Sequence, residues 1–346
     1  MSLVVDRIRK SFGAVQALDG VSFTVEPGRI FGLLGANGAG KTTCMRIVLD
    51  ILRPDAGTVT WQGTANTDLP RPTWGYLPEE RGLYLRMKVI DVLRFFAALY
   101  GVPEAEATAE VEDWLERFRV PEYRDRKVEE LSKGNQQKIQ FIAAILHDPQ
   151  VLIMDEPFSG LDPVNVQLLK EAFLEMRDRG KTLIFSTHQM EQVEELCEAI
   201  AIIDRGRVVE SGLLREVKRR MGRQVVRLAV EEADGTAAGA RPAMDAERGD
   251  GQGWVDQIPG VTLTRRGEDY LEMHVASGTD PESILQAALA RGERVTHFEI
   301  ADPSLEEIFI ERVGHSSIEE ERHLAGGLHE RDVSASERAP DEMTTP

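Results

Sequence analysis

The sequence predicts an α/β fold: a buried parallel sheet interrupted by a helical insert, then a small α+β domain and an acidic tail. Three observations carry this. Short continuous apolar runs at Ile30–Leu34, Val151–Met154 and Thr182–Phe185 have the character of parallel strands buried on both faces, and each ends in residues suited to a ligand. Residues 88–100 and 104–119 show helical periodicity between the first and second runs. Beyond residue 222, alternating apolar residues replace the continuous runs.

The first run leads into Gly35-Ala36-Asn37-Gly38-Ala39-Gly40-Lys41-Thr42, which fits the phosphate-binding pattern G-x-x-x-x-G-K-[ST]. Thr43–Leu49 follows and reads as a helix, so the motif has the strand–loop–helix context it requires. Glycines let backbone N–H groups turn toward phosphate oxygens, and the helix N-terminus adds partial positive charge. Asn37, Gly38, Ala39, Gly40, Lys41, Thr42 and Thr43 are therefore nucleotide-binding candidates. Lys41 would reach the β- and γ-phosphates, and the Thr42 hydroxyl would ligate Mg²⁺.

The 346 residues suffice for two domains and a tail, and 42% are apolar. The net charge of −18 disfavours nucleic acid as a partner. Residues 231–256 hold seven acids against two arginines, and 314–346 hold eight against three, so each contributes −5. Cys44 and Cys197 are the only cysteines, which excludes a disulfide framework and fits a reducing cytoplasm. Cys44 reads as core packing. Met1–Asp6 lacks a basic region followed by an apolar one, so no signal peptide is expected. No run approaches 18 apolar residues, so any membrane role must come through a partner.

Leu3–Val5 and Val21–Val25 read as strands around a turn at Gly13. Phe12 precedes that turn and is a candidate for stacking on a purine. Residues 54–63 read as a turn and a short strand. Gly75–Tyr84 is polar and punctuated by Gly and Pro, and reads as a loop after a strand. In the insert, Val92, Phe95, Phe96 and Leu99 stand on one helix face; Val111, Trp114, Leu115 and Phe118 stand on one face of the next. Ser132 is a natural N-cap for a helix running through Leu146, and Gly134-Asn135 offers a second anion site near its start.

Val151–Met154 ends in Asp155-Glu156. Two carboxylates at the carboxyl end of a buried strand suit phosphate chemistry: Asp155 to hold Mg²⁺ and Glu156 to polarise an attacking water. Ser159–Pro163 is a turn into a helix at 164–178. Thr182–Phe185 ends in Ser186-Thr187-His188, and His188 is the polar group at the third strand end. A helix at 190–198 and a hairpin around Asp204–Gly206 follow, then a basic helical linker at 212–221. Strands at 224–230, 261–265 and 270–275, a helix at 281–291, a strand at 294–300 and a helix at 304–313 complete the second domain. Residues 231–257 read as a mobile loop and 314–346 as a disordered tail, with His315, His323 and His329 solvated.

These motifs, in this order and spacing, resemble the ATP-binding subunit of an ABC transporter over residues 1–220. Gly35–Thr42 is similar to the Walker A loop, Leu131-Ser132-Lys133-Gly134-Asn135 to the ABC signature, and Val151–Asp155 to Walker B. Glu156 is similar to the catalytic glutamate, Ser159–Asp162 to the D-loop, His188 to the switch histidine and Phe12 to the adenine-stacking aromatic. The resemblance implies a P-loop NTPase ABC ATPase core with a helical subdomain at about 80–147, and a small α+β domain at 222–313. It implies ATP and Mg²⁺ as ligands. Ser132, Gly134, Asn135 and Asp162 would meet nucleotide across a head-to-tail dimer, with an identical chain as the expected second cassette. Two departures stand out. The family has Gln where this chain has Glu79, and Gln where it has Asn135. With Gly75–Tyr84, they are similar to the sodium-exporter-type subgroup, which also carries a C-terminal extension. Glu79 would contact Mg²⁺ or the attacking water, but a carboxylate cannot donate a hydrogen bond as an amide can.

The resemblance implies an ATPase on the cytoplasmic face of the cell membrane, powering export through a separate integral permease. The permease would dock at the groove around Glu79–Leu85. A soluble member acting on ribosomes or nucleic acid is the alternative; the single cassette and acidic balance disfavour it. Intact Lys41, Asp155, Glu156 and His188 argue against a non-hydrolysing subunit.

Overall fold

A computed structural model of the chain describes residues 2–80, 82–231, 253–267 and 270–314. Most of the expected mobile loop (232–252), the turn residues Glu268 and Asp269, and the expected disordered tail (315–346) with its three histidines lie outside the described residues. Contacts divide the chain into two compact units: the second is Arg215–Glu311, and the chain rejoins the first at Arg312.

The first unit runs β1 (Leu3–Phe12), β2 (Val15–Val25), β3 (Ile30–Leu34), α1 (Lys41–Val48), β4 (Ala56–Trp61), β5 (Thr64–Ala65), β6 (Trp74–Leu77), α2 (Val89–Leu99), α3 (Glu104–Arg117), α4 (Lys133–Ile145), β7 (Val151–Asp155), α5 (Pro163–Asp178), β8 (Thr182–Thr187), α6 (Met190–Leu196), β9 (Ala199–Asp204) and β10 (Arg207–Leu213). Its six-stranded sheet has the order β10-β9-β3-β8-β7-β6. All neighbours there are parallel except β10 with β9. Every residue of β3, β7 and β8 is buried, as their unbroken apolar runs require.

A second sheet, β2-β1-β4-β5, is antiparallel. Its inward residues Leu3, Val5 and Phe23 share one core with Phe31 and Ile184 of the larger sheet and Cys44, Met45 and Ile47 of α1. Cys44 is sealed there, and burial pushes its thiol up to about 12, which leaves it a packing group.

Two sequence readings need correction. Gly75–Leu77 belongs to β6, so the loop begins only at Pro78. In α2 the buried stripe is Val89, Ile90, Val92, Leu93 and Ala97, whereas Phe95 and Leu99 are 38% and 63% exposed. The helix has two adjacent apolar stripes; α2 packs through the smaller side chains and presents the larger ones to solvent. In α3 the expected face is the buried one. An aromatic chain then ties the insert to the sheet: Trp114, Phe118, Phe141, Phe173 and Phe185 follow one another at ring separations of 5.7–5.9 Å.

The second unit, Arg215–Glu311, contains β11 (Arg223–Glu231), β12 (Val261–Arg266), β13 (Leu271–Ala276), α8 (Glu282–Ala290) and β14 (Arg294–Ala301) after α7 (Leu214–Arg220), and a further helix at 305–314 starts within it. Its sheet, β12-β13-β11-β14, is antiparallel throughout. Alternation puts Val226, Leu228, Val230, Met273 and Val275 into one core with Trp254, Ile284 and Ala288.

Candidate nucleotide site

The sheet order assembles the site. β3, β8 and β7 are neighbours, and their register sets Leu34 beside Thr187 and Asp155 beside Ser186. Leu77 lies beside Met154, so the chain leaves β6 toward Glu79 at the same carboxyl edge.

The loop after β3 is built on glycine. Gly40 caps α1 at φ 109°, and a Cβ there would stand 2.6 Å from Ala17 O. No side chain caps α1, whose first amides face the loop as an anion site. Lys41 is only 6% exposed, and its ammonium donates to Gly35 O at 2.8 Å and Ala36 O at 3.2 Å. Burial lowers its pKa, while Glu156, Asp155 and Glu79 pull it back up. Glu79 is thereby within electrostatic reach of the loop lysine.

Thr42 Oγ1 donates to Asp155 Oδ2 at 2.6 Å. Ser186 Oγ donates to the other Asp155 oxygen, Oδ1. Glu156 is buried at φ 47°, a left-handed conformation unusual for this residue type. Its amide donates to Ser186 O and Oγ at 3.2 and 3.1 Å. Its carboxylate Oε1 lies 3.0 Å from His188 Nδ1, which donates when protonated. Thr42, Asp155, Ser186, Glu156 and His188 thus form one continuous chain of hydrogen bonds.

Ser186 escaped the sequence reading as a site residue; the available signal was a polar residue ending a buried strand. We expect Ser186→Ala to lower unfolding free energy by about 1–3 kcal/mol, because the buried Asp155 loses a donor. It should also lower kcat while leaving ATP affinity unchanged. Denaturant titration and single-turnover kinetics read the two effects.

The remaining candidates sit elsewhere. Phe12 is half exposed at the end of β1, with Lys10 Nζ 5.6 Å from its ring centroid. Ser132 Oγ caps α4 by accepting from Asn135 N at 3.3 Å. Asp162 caps α5 by accepting from Asn165 N at 3.0 Å, and that bond holds its carboxyl below the usual range. A Cβ on Gly134 would lie 3.1 Å from Asn165 Nδ2, so the two caps meet at Asn165. Among the described residues, no hydrogen bond or ring contact joins Phe12, Ser132, Gly134, Asn135 or Asp162 to the phosphate loop.

The donors fit Mg²⁺ by chemistry. Thr42 and Asp155 offer adjacent hard oxygens, and such a site needs few protein ligands because the ion keeps several waters. Among the described residues no cluster of three or more His, Cys, Asp or Glu gathers for a softer metal.

Residues 18–159 match the ABC transporter family, and 212–313 match the C-terminal domain described as ATP-binding protein DrrA1-3-like. The chain is 42% identical over 312 residues to the uncharacterized ABC transporter ATP-binding protein YhaQ of Bacillus subtilis, covering 90% of this chain and 98% of that one. It is 40% identical over 210 residues to the Nod factor export ATP-binding protein I of Paraburkholderia xenovorans, covering 60% and 69%. A solved ATP-binding subunit of an ABC transporter superposes with TM-score 0.60 at 32% identity, over 64% of this chain and 94% of the other.

Proposed function

The chain belongs to the ABC transporter ATP-binding proteins, and from that premise we propose that it powers export through a separate membrane permease, by closing and reopening a dimer around ATP. The family consists of ATPases coupled to transport, and the chain has their P-loop fold.

The observation that carries hydrolysis is the contact chain from Thr42 through Asp155 to Glu156 and His188. The amides at the start of α1 and the Lys41 ammonium receive the β- and γ-phosphates. Glu156 accepts a hydrogen bond from the attacking water and aligns it with the γ-phosphorus. His188, held against Glu156, donates toward the γ-phosphate oxygens as charge builds there. Thr42, Asp155 and Glu79 would hold Mg²⁺, which when bound offsets phosphate charge. Phe12 stacks on the adenine. Ser132, Gly134 and Asn135 meet the γ-phosphate bound to a second, identical chain, and Asp162 lies at that junction. The support is positional: in their own chain these residues stand at the starts of α4 and α5, and among the described residues no hydrogen bond joins them to the phosphate loop.

Export is supported by the Nod factor export relative. Among the described residues no helix is long and apolar enough to cross a membrane. We place the chain on the cytoplasmic face, working through its permease, because the family couples ATP hydrolysis to transport. Tyr84, Phe95 and Phe96 form a ring cluster with centroids 5.5–6.2 Å apart, flanked by the exposed Leu85 and Leu99. We assign this apolar surface, beside the Glu79 loop, to the permease's cytoplasmic helix.

Affinity purification of the full chain from membranes tests the reading. The wild type should retain an integral membrane protein; Leu99→Ser should lose it with basal ATPase unchanged and Tm within a few degrees, since Leu99 is exposed. Recovery with ribosomes instead would refute export.

A further inference from the structure

Helix α4 buries three polar side chains in succession: Gln137, Lys138 and Gln140. Each spends its donors on a backbone carbonyl far away in sequence. Gln137 Nε2 donates to Pro157 O at 3.1 Å, one residue beyond Glu156. Lys138 Nζ donates to Phe118 O at 3.0 Å, at the end of the insert. Gln140 Nε2 donates twice, to Pro78 O at 3.1 Å and to Glu80 O at 3.2 Å.

The two acceptors of Gln140 are the carbonyls on either side of Glu79. One amide therefore uses both its hydrogens to clamp the backbone around a single residue. Its other end makes no return: Gln140 is 4% exposed, and among the described residues its Oε1 is buried without a partner. An unpaired buried acceptor costs stability. A hydrocarbon side chain would fill the same space without that cost. The N–H pair is the feature that the position provides.

We propose that Gln140 is a positioning residue that fixes the Glu79 carboxylate at the nucleotide site and couples it to the signature helix. The coupling follows from its place on α4. The first turn of that helix holds Ser132, Gly134 and Asn135, so a shift of α4 as a second chain closes must pull on Pro78 and Glu80. Pro78 itself has no backbone donor with which to fix this end of the loop. The assignment rests on the reading of Glu79 as part of the nucleotide and Mg²⁺ site, supported by the register of Leu77 beside Met154, which brings the chain to that edge of the sheet, and by the pull of Glu79 on Lys41.

The test uses Gln140→Met in the full chain, which keeps the volume and removes the amide. Hydrogen exchange of the nucleotide-free protein should rise about tenfold at 77–84 and stay unchanged in β3 and α1, because the clamp is local. The Mg²⁺ concentration for half-maximal ATPase should rise roughly tenfold, with ATP affinity in the absence of Mg²⁺ unchanged. In a Glu79→Ala background the same substitution should add nothing to the Mg²⁺ requirement, since both changes remove one interaction. Unchanged exchange at 77–84 overturns the clamp. Additive effects in the double variant, or a shift from Glu79→Ala and none from Gln140→Met, overturn the positioning role and leave Glu79 in place. No shift from Glu79→Ala itself overturns the reading of Glu79, and the inference with it.

Discussion

Replacing Glu156 by Gln lowers kcat for ATP hydrolysis by about 10²–10⁴-fold, the range associated with a positioned general base. ATP binding survives, because the phosphate loop, Lys41 and Thr42 are untouched. The fold survives as well. The unusual backbone of Glu156 is held by its amide on Ser186, not by its carboxylate. What changes is the group beside His188: an amide cannot take up the proton of an attacking water. The variant should accumulate as an ATP-bound dimer, seen by light scattering with ATP and Mg²⁺ and absent without nucleotide. Unchanged turnover would remove Glu156 from the mechanism.

Lys41→Ala has an effect of similar size on a different step. Lys41 is the buried cation of the loop, facing Glu156, Asp155 and Glu79. Without it those carboxylates repel the incoming phosphates with no compensating charge. Removing a charge-stabilising donor of this kind costs about 10²–10³ in rate. Here ATP binding falls too, because Lys41 is read as meeting the ground-state phosphates. Calorimetric titration with ATP and steady-state turnover separate the two losses. Wild-type affinity in this variant would show that the helix N-terminus alone carries binding.

The parallel core was legible because burial on both faces leaves a continuous apolar run, and β3, β7 and β8 display one. Their polar ends were legible for the same reason: a carboxylate after four apolar residues stands out. The second unit followed from simple alternation, and its strands end within about two residues of their expected limits. Less could be read where two patterns coincide. Helix α2 carries two apolar stripes, and periodicity does not say which faces the core. The large residues Phe95 and Leu99 drew the assignment, but Val89, Ile90 and Leu93 pack. Also hidden were side chains whose role is a bond to a distant carbonyl. Gln140 is 62 residues from Pro78, and Ser186 is 31 from Asp155. No local pattern records such pairs; they exist only once the sheet order and α4 are in place.

The central claim is that each nucleotide site is shared between two chains. Two impaired variants test it most directly: Lys41→Ala, defective in its loop, and Gly134→Asp, which sets a carboxylate where the partner's γ-phosphate would arrive. A Cβ at Gly134 would press only on Asn165 Nδ2, at 3.1 Å, and would meet Leu161 at an ordinary 3.5 Å. In a mixed head-to-tail dimer, one site would combine both damaged halves and the other both intact halves. ATPase activity measured after mixing equal amounts should therefore rise well above that of either chain alone. Activity no greater than the sum of the two separate chains would contradict the shared site.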